Sequence, residues 1–198
     1  KKAGANGLVV SSSNNPAVQT VINAINSELG AYGTTIDLSS PMMSRQGSNR
    51  DMNQFIDDIK AKRVGAVIFY NCNPVYNHPR GAELGAALAT TTLTVSTSDR
   101  PDETSSTVEY GAPDHHYLES WNDAEPKKGV YSFSQPTITP VFKSRQAQES
   151  LMVWAGQADF NYFNFLQAQW KGVLPGGDFQ MAWDKALMDG VFTLENGS

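Results

Sequence analysis

Residues 65–79 read Gly-Ala-Val-Ile-Phe-Tyr-Asn-Cys-Asn-Pro-Val-Tyr-Asn-His-Pro, an apolar run of strand length that stops abruptly in a loop of amides between two prolines. Consecutive hydrophobics of this kind predict a strand covered on both faces, as in a parallel sheet. The loop then falls at the strand's carboxyl end. In open α/β sheets that edge binds ligands, because loops and helix N-termini converge there with free backbone N–H groups. Asn71 and Asn73 supply side chains that both donate and accept, which suits them to reading a heterocycle edge. Pro74 and Pro79 limit how far the loop can move. A plain strand-to-helix connection stiffened by proline has the same local chemistry, so the loop alone leaves both readings open.

The surrounding pattern alternates. Residues 7–12 read as a buried strand, and Ser13, Asn14, Asn15 and Pro16 supply a helix start. Val18, Val21, Ile22, Ile25 and Leu29 recur at helical spacing before Gly30, a helix stop. A second strand is expected at 35–38; then Met52, Phe55, Ile56 and Ile59 mark a helical face leading into the strand at 64–70. A helix at 80–89 and a strand at 93–96 follow. This order predicts an α/β fold: a Rossmann-like, doubly wound, mainly parallel sheet containing Val9, Val67, Phe69 and Val95, with helices on both faces. Beyond it, residues 113–140 hold short extended pieces broken by Pro and Gly, and helices are expected at 144–154, 159–170 and 178–190. The expected division is therefore a sheet domain at 1–112, an extended segment at 113–143 and a helical segment at 144–198. Phe160, Tyr162, Phe163, Phe165, Leu166, Trp170 and Trp183 are too aromatic for a solvated tail and predict a packing surface.

Composition narrows the function classes. The 198 residues suffice for a sizeable core, and the start at Lys1, with no Met or apolar leader, reads as an excised fragment. No run approaches the ~20 apolar residues that span a bilayer, so the fragment is expected to be soluble. A net charge of -5 without a basic stripe points away from nucleic acid. Cys72 is the single cysteine, so the chain cannot hold an iron–sulfur cluster or close a disulfide by itself. Asp114, His115, His116 and Glu119 could ligate a metal only if helical, and Pro113 argues for an extended segment instead. There is no Gly-x-Ser-x-Gly elbow and no Gly-x-Gly-x-x-Gly fingerprint, which disfavours an α/β-hydrolase and a dinucleotide fold of that type. Ser13 and Asn14 serve either as a helix cap or as a phosphate contact.

From the loop onward, Asn73-Pro74, Asp99, Glu103-Thr104, Pro113, Leu118-Glu119 and Gln135 occur in the order found in the third domain of the molybdopterin oxidoreductases, the dimethyl sulfoxide reductase superfamily, which this chain resembles. The wording of residues 73–81 and 113–123 is most similar to the molybdopterin-oxidoreductase-like iron–sulfur subunits of bacterial alternative complex III. That resemblance implies a domain of a subunit in a membrane-associated, quinol-oxidising electron-transfer complex, at the periplasmic face. Its implied role is scaffolding, without autonomous catalysis and with no cofactor in this segment. Iron–sulfur clusters belong elsewhere in the parent chain, and the partners are its remaining domains and other subunits. The alternative implied by the same resemblance is an active molybdenum oxidoreductase whose molybdopterin guanine dinucleotide is held by this domain. Ser13, Asn14, Asn71, Asn73, Asp99 and Thr104 are the implied cofactor-binding positions, functional or vestigial, and no residue is assigned a catalytic or metal-ligating role. A vestigial cleft is expected to be filled by its own side chains, Tyr76 or His78 foremost.

Overall fold

The computed structural model describes residues 2–44 and 46–194. It is an α/β structure in two compact units: Lys1–Arg45 with Glu125–Tyr131 and Thr193–Ser198, and Gln46–Ala124 with Ser132–Phe192. The last four residues of the expected helical segment lie outside the described residues.

In the first unit, Asn15 accepts from the Ala17 N–H and caps α1 (Pro16–Leu29), Pro16 fills the first turn, and Gly30 closes the helix at φ 72°. The strand expected at 7–12 does not form, and Val9 joins no sheet. Its N–H donates to Asn26 Oδ1, and Asn26 Nδ2 donates back to its carbonyl, both at 2.9 Å. A single buried amide thus does for one residue what a neighbouring strand does for a run, and no ladder propagates. The strand expected at 35–38 contracts to one parallel bridge between Tyr32 and Ile36, because Gly33, at φ 81°, turns the chain and donates to the Ile36 carbonyl. Helix spacing was readable here but burial was not: Val21 is 58% exposed, and Val18 and Ile25 are exposed too.

The second unit begins with α2 (Asn49–Lys60), capped by the Ser48 hydroxyl, which accepts from the Asp51 N–H. It continues through β1 (Ala66–Phe69), α3 (Pro74–Asn77), α4 (Gly81–Leu88), β2 (Leu93–Ser96) and β3 (Tyr110–Gly111). The three strands form a parallel sheet in the order β1-β2-β3, with Val67 opposite Thr94 and Phe69 opposite Ser96. Ile56 and Ile59 from α2, Val67 and Phe69 from β1, and Leu84 and Leu88 from α4 make one core. Each such burial stabilises by about 1.5–3 kcal/mol before chain entropy is counted. Burial along β1 alternates, with Val67 and Phe69 covered and Ile68 43% exposed. The unbroken apolar run suggested cover on both faces; the helices that pack on β1 in this core cover the face of Val67 and Phe69.

Two details set the loop after β1. Gly81 starts α4 so close to α3 that a Cβ there would sit 2.1 Å from the Val75 carbonyl oxygen, so a side chain is excluded. Arg80 beside it pairs with Asp57 of α2 and Glu83 of α4, fixing the helix start across two elements.

The chain then forms the hairpin strands β4 (Asn122–Lys127) and β5 (Val130–Ser134), and α5 (Ala147–Trp154), α6 (Tyr162–Trp170), α7 (Phe179–Asp189) and β6 (Val191–Thr193) complete the fold. The last strand was not expected. It closes a second sheet in the order β4-β5-β6. Aromatic residues of α6 and α7 pack on one another and on rings outside the helices: Trp183 is 1% exposed and meets the rings of Phe163 and Phe179 and of Trp121 and Phe133. Trp170 Nε1 donates to Asp123 Oδ2 at 2.8 Å, which satisfies the buried indole. No helix of the described residues is long and apolar enough to cross a membrane.

Candidate functional site

The carboxyl ends of β1 and β2 are stitched together by hydroxyls and amides. Asn71 stands at φ 47°, a left-handed conformation Asn tolerates, and its N–H donates to the buried Thr97 Oγ1. Thr97 donates back to Asn71 Oδ1, while Asn71 Nδ2 donates to Asp114 Oδ2 at 2.6 Å. Two residues on, Asn73 Oδ1 accepts from the N–H and the hydroxyl of Thr104, and its Nδ2 donates to Glu103. Thr104, fully buried, accepts in turn from the Val75 N–H. The Asn-Pro loop and the Glu-Thr pair are therefore one hydrogen-bonded structure.

Asp99, just beyond β2, is held differently. Arg100 donates to both of its oxygens at 2.9 Å, and that pairing holds the Asp99 carboxyl below the usual carboxylate range. Both side chains are open to water, so the pair opens at little cost. Asp102 accepts from the Ser105 N–H at the start of the short helical turn Ser105–Thr107, whose cap position is Thr104. Burial pushes its carboxyl up, but hydrogen bonds from Ser105, Ser98 and Thr104 outweigh this and leave the pKa lowered.

Asp114 ties three segments together. Besides Asn71, it accepts from the N–H groups of His115 and Ala147, the latter at the first turn of α5. Its neighbours form no common metal face. His116 and Glu119 make a reciprocal cap on the turn Tyr117–Glu119, the His116 N–H donating to Glu119 Oε2 and the Leu118 N–H to His116 Nδ1. Glu119 also accepts from the Val141 N–H, and these backbone donors, Val141 first, lower its pKa. Among the described residues no group of three or more His, Cys, Asp or Glu side chains is placed to hold a metal ion. Cys72 is partly open to solvent, but the surrounding atoms desolvate its thiol and push its pKa up, with Asp102 adding to the effect.

These groups surround a polar cleft of about 420 Å³ within the second unit. Asn71, Asn73 and Asp99 line it, as do three residues that sequence reasoning did not single out as cleft residues: Asp102, Asp114 and Gln146. Thr104 supports Asn73 rather than lining the cleft. Ser13 and Asn14 belong to the first unit, where the Ser13 hydroxyl accepts from the Asn15 N–H beside the helix cap. Neither expected plug is in the cleft: Tyr76 is 73% exposed, and His78 Nδ1 accepts from the Arg80 N–H. Asn71 and Asn73 line the cleft with their amides hydrogen-bonded to Thr97, Asp114, Thr104 and Glu103.

No protein-family model matches the chain. The chain is 30% identical over 143 residues to the menaquinone reductase, molybdopterin-binding-like subunit of Nitratidesulfovibrio vulgaris, a match covering 68% of this chain and 20% of that protein. The chain therefore spans about one fifth of the length of the curated relative it matches. This match supports a molybdopterin-oxidoreductase-like relationship for the chain.

Proposed function

We propose that the chain is a domain of a molybdopterin-oxidoreductase-like subunit in a membrane-associated respiratory complex that oxidises quinol, resembling alternative complex III. It acts as scaffold and carries no catalysis of its own; iron–sulfur clusters sit elsewhere in the parent chain, and its partners are the remaining domains and neighbouring subunits at the periplasmic face. The printed name of the relative, a molybdopterin-binding-like subunit of a menaquinone reductase, supports the electron-transfer setting. The observation that carries the scaffold role is the internal engagement of Asn71 and Asn73, whose amide groups bond Thr97, Asp114, Thr104 and Glu103. With those bonds made, Asn73 keeps one N–H and Asn71 one N–H and one lone pair, so the two amides have only part of their capacity left with which to read a heterocycle.

A second reading, a domain that clamps a molybdopterin guanine dinucleotide, is favoured by Asp99 alone. It lines the cleft, and its ion pair is with the exposed Arg100. Titration with GDP separates the two. The scaffold reading expects no saturable binding up to about 1 mM, a ceiling equivalent to about 4 kcal/mol. Micromolar binding that disappears in Asp99→Ala would reject it in favour of the clamp.

A further inference from the structure

Residues 132–148 break the charge pattern of the chain. Net charge over the whole sequence is -5, yet this stretch contains no Asp or Glu and carries Lys143 and Arg145. Both cations are exposed, and neither makes an ion pair among the described residues. Beside them, Phe142 is 79% and Val141 68% exposed, and Ile138 is nearly half open. Protruding aromatic and aliphatic carbon next to uncommitted cations is the composition of a surface that meets lipid, where carbon enters the headgroup boundary and Lys and Arg extend to phosphate.

The loop that carries these side chains is held from beneath. The N–H groups of Thr137 and Ile138 donate to the Leu118 carbonyl at 2.8 and 3.1 Å, and the Val141 N–H donates to Glu119 Oε1 at 2.8 Å. At the far end the Ala147 N–H donates to Asp114, and Pro136 and Pro140 stiffen the path between. Val141 and Phe142 are thus presented by a fixed loop, and docking costs little ordering. Leu118, Ile138, Val141 and Phe142 also wall a groove of about 720 Å³, which has room for part of an acyl chain. The carboxylates that line this groove are committed elsewhere: Glu119 to the His116 and Val141 N–H groups, Asp114 to Asn71 and two backbone N–H groups, and Asp99 to Arg100. Lys143 and Arg145 remain as the charges free to meet a partner.

We propose that residues 136–145 form a lipid-contacting loop, Val141 and Phe142 entering the headgroup boundary of an anionic bilayer while Lys143 and Arg145 meet its phosphates. Anionic lipid answers both halves of the surface at once. An acidic protein face would answer the cations and leave Val141 and Phe142 to bury against carboxylates. A second copy of the chain, docking this patch on itself about a two-fold axis, would set Lys143 and Arg145 against their own duplicates. Each Lys or Arg at an anionic surface strengthens binding about fivefold, so the two together oppose the repulsion due to the chain's negative net charge. Contact of this loop with lipid is independent of the scaffold role, because the GDP titration probes the strand-end cleft and leaves residues 136–145 untouched.

The test is co-sedimentation of the chain with vesicles of phosphatidylcholine alone and of phosphatidylcholine mixed equally with phosphatidylglycerol, at about 0.1 M salt, where charges are screened over about 10 Å. The mixed vesicles should bind the chain with a partition constant on the order of 10³ M⁻¹, about tenfold below that of a single myristoyl chain. Phe142→Ser should weaken this at least about fivefold, and Lys143→Gln with Arg145→Gln should reduce it to the level of phosphatidylcholine alone. These side chains are exposed, so the variants should keep the parent's circular dichroism. Met188→Ser, which alters an equally exposed apolar side chain on α7, should bind as the parent does. Absent binding to the mixed vesicles, equal binding of the parent and Phe142→Ser, equal binding to the two vesicle types, or an equal loss in Met188→Ser would overturn the proposal. So would a dimer in lipid-free sedimentation that Phe142→Ser abolishes, since a second copy would then occupy the loop.

Discussion

Helices α1 and α2 carry the same kind of sequence signal and end in different surroundings. Each has a capped start and aliphatic residues at three- and four-residue spacing. In α2 those residues become Ile56 and Ile59 of a closed core, nearly without exposure, whereas in α1 Val18, Val21 and Ile25 stay on the surface of the first unit. The extended segments differ in the same way. β1 gains a ladder from β2 over four residues, while residues 7–12 receive only the two bonds of the Asn26 amide. Periodicity states what an element can bury; whether it does so depends on a partner that local sequence does not specify.

The largest test of this contrast lies at Trp183. Its ring is enclosed by four others in the second unit, so Trp183→Ala should remove about 3–5 kcal/mol from the urea unfolding free energy followed by circular dichroism. A loss below about 1 kcal/mol would mean that the aromatic cluster is loosely held, and the two units would then differ less than their burial indicates.

A smaller effect is expected where hydrogen bonds replace packing. Thr104→Val leaves the Val75 N–H without its acceptor beneath the Asn-Pro loop and should cost about 1–3 kcal/mol. The parallel change in the first unit, Asn26→Ala, frees one N–H and one carbonyl of Val9. These lie in a segment with exposed neighbours, where water can take over, and the expected cost is about 0.5–1.5 kcal/mol. Equal costs in the two variants would break the comparison at the level of polar satisfaction.

What could be read beforehand divides along physical lines. β2 was legible to the residue, and α4 and the three later helices within a few residues, because strand length, Ala and Leu content and capping residues act locally. Asn71, Asn73 and Asp99 were legible as neighbours, since in a parallel sheet the ends of adjacent strands share an edge. The engagement of their side chains was not. Asn71 meets Asp114 across 43 residues, and Asp114 meets the N–H of Ala147 across 33, pairings fixed by how loops and a helix start converge. Gln146 gave no signal at all: a glutamine before a helix reads as surface, and only the folded chain shows it buried with its amide donating to the Trp121 carbonyl.

The smallest expected effect is the most direct probe of the first unit. Val21 lies on the aliphatic face of α1 and is 58% exposed, so truncation removes little buried area. Alanine also has the higher helix propensity, because Val loses side-chain freedom against the preceding turn. The two terms oppose each other, and Val21→Ala should change the unfolding free energy by no more than about 0.5 kcal/mol in either direction. A loss above about 1.5 kcal/mol would indicate that this face is covered in solution, since a half-exposed valine cannot otherwise bury enough carbon to account for it. The aliphatic stripe on α1 would then serve the same purpose as the one on α2, and the contrast between the helices would lie in what covers them.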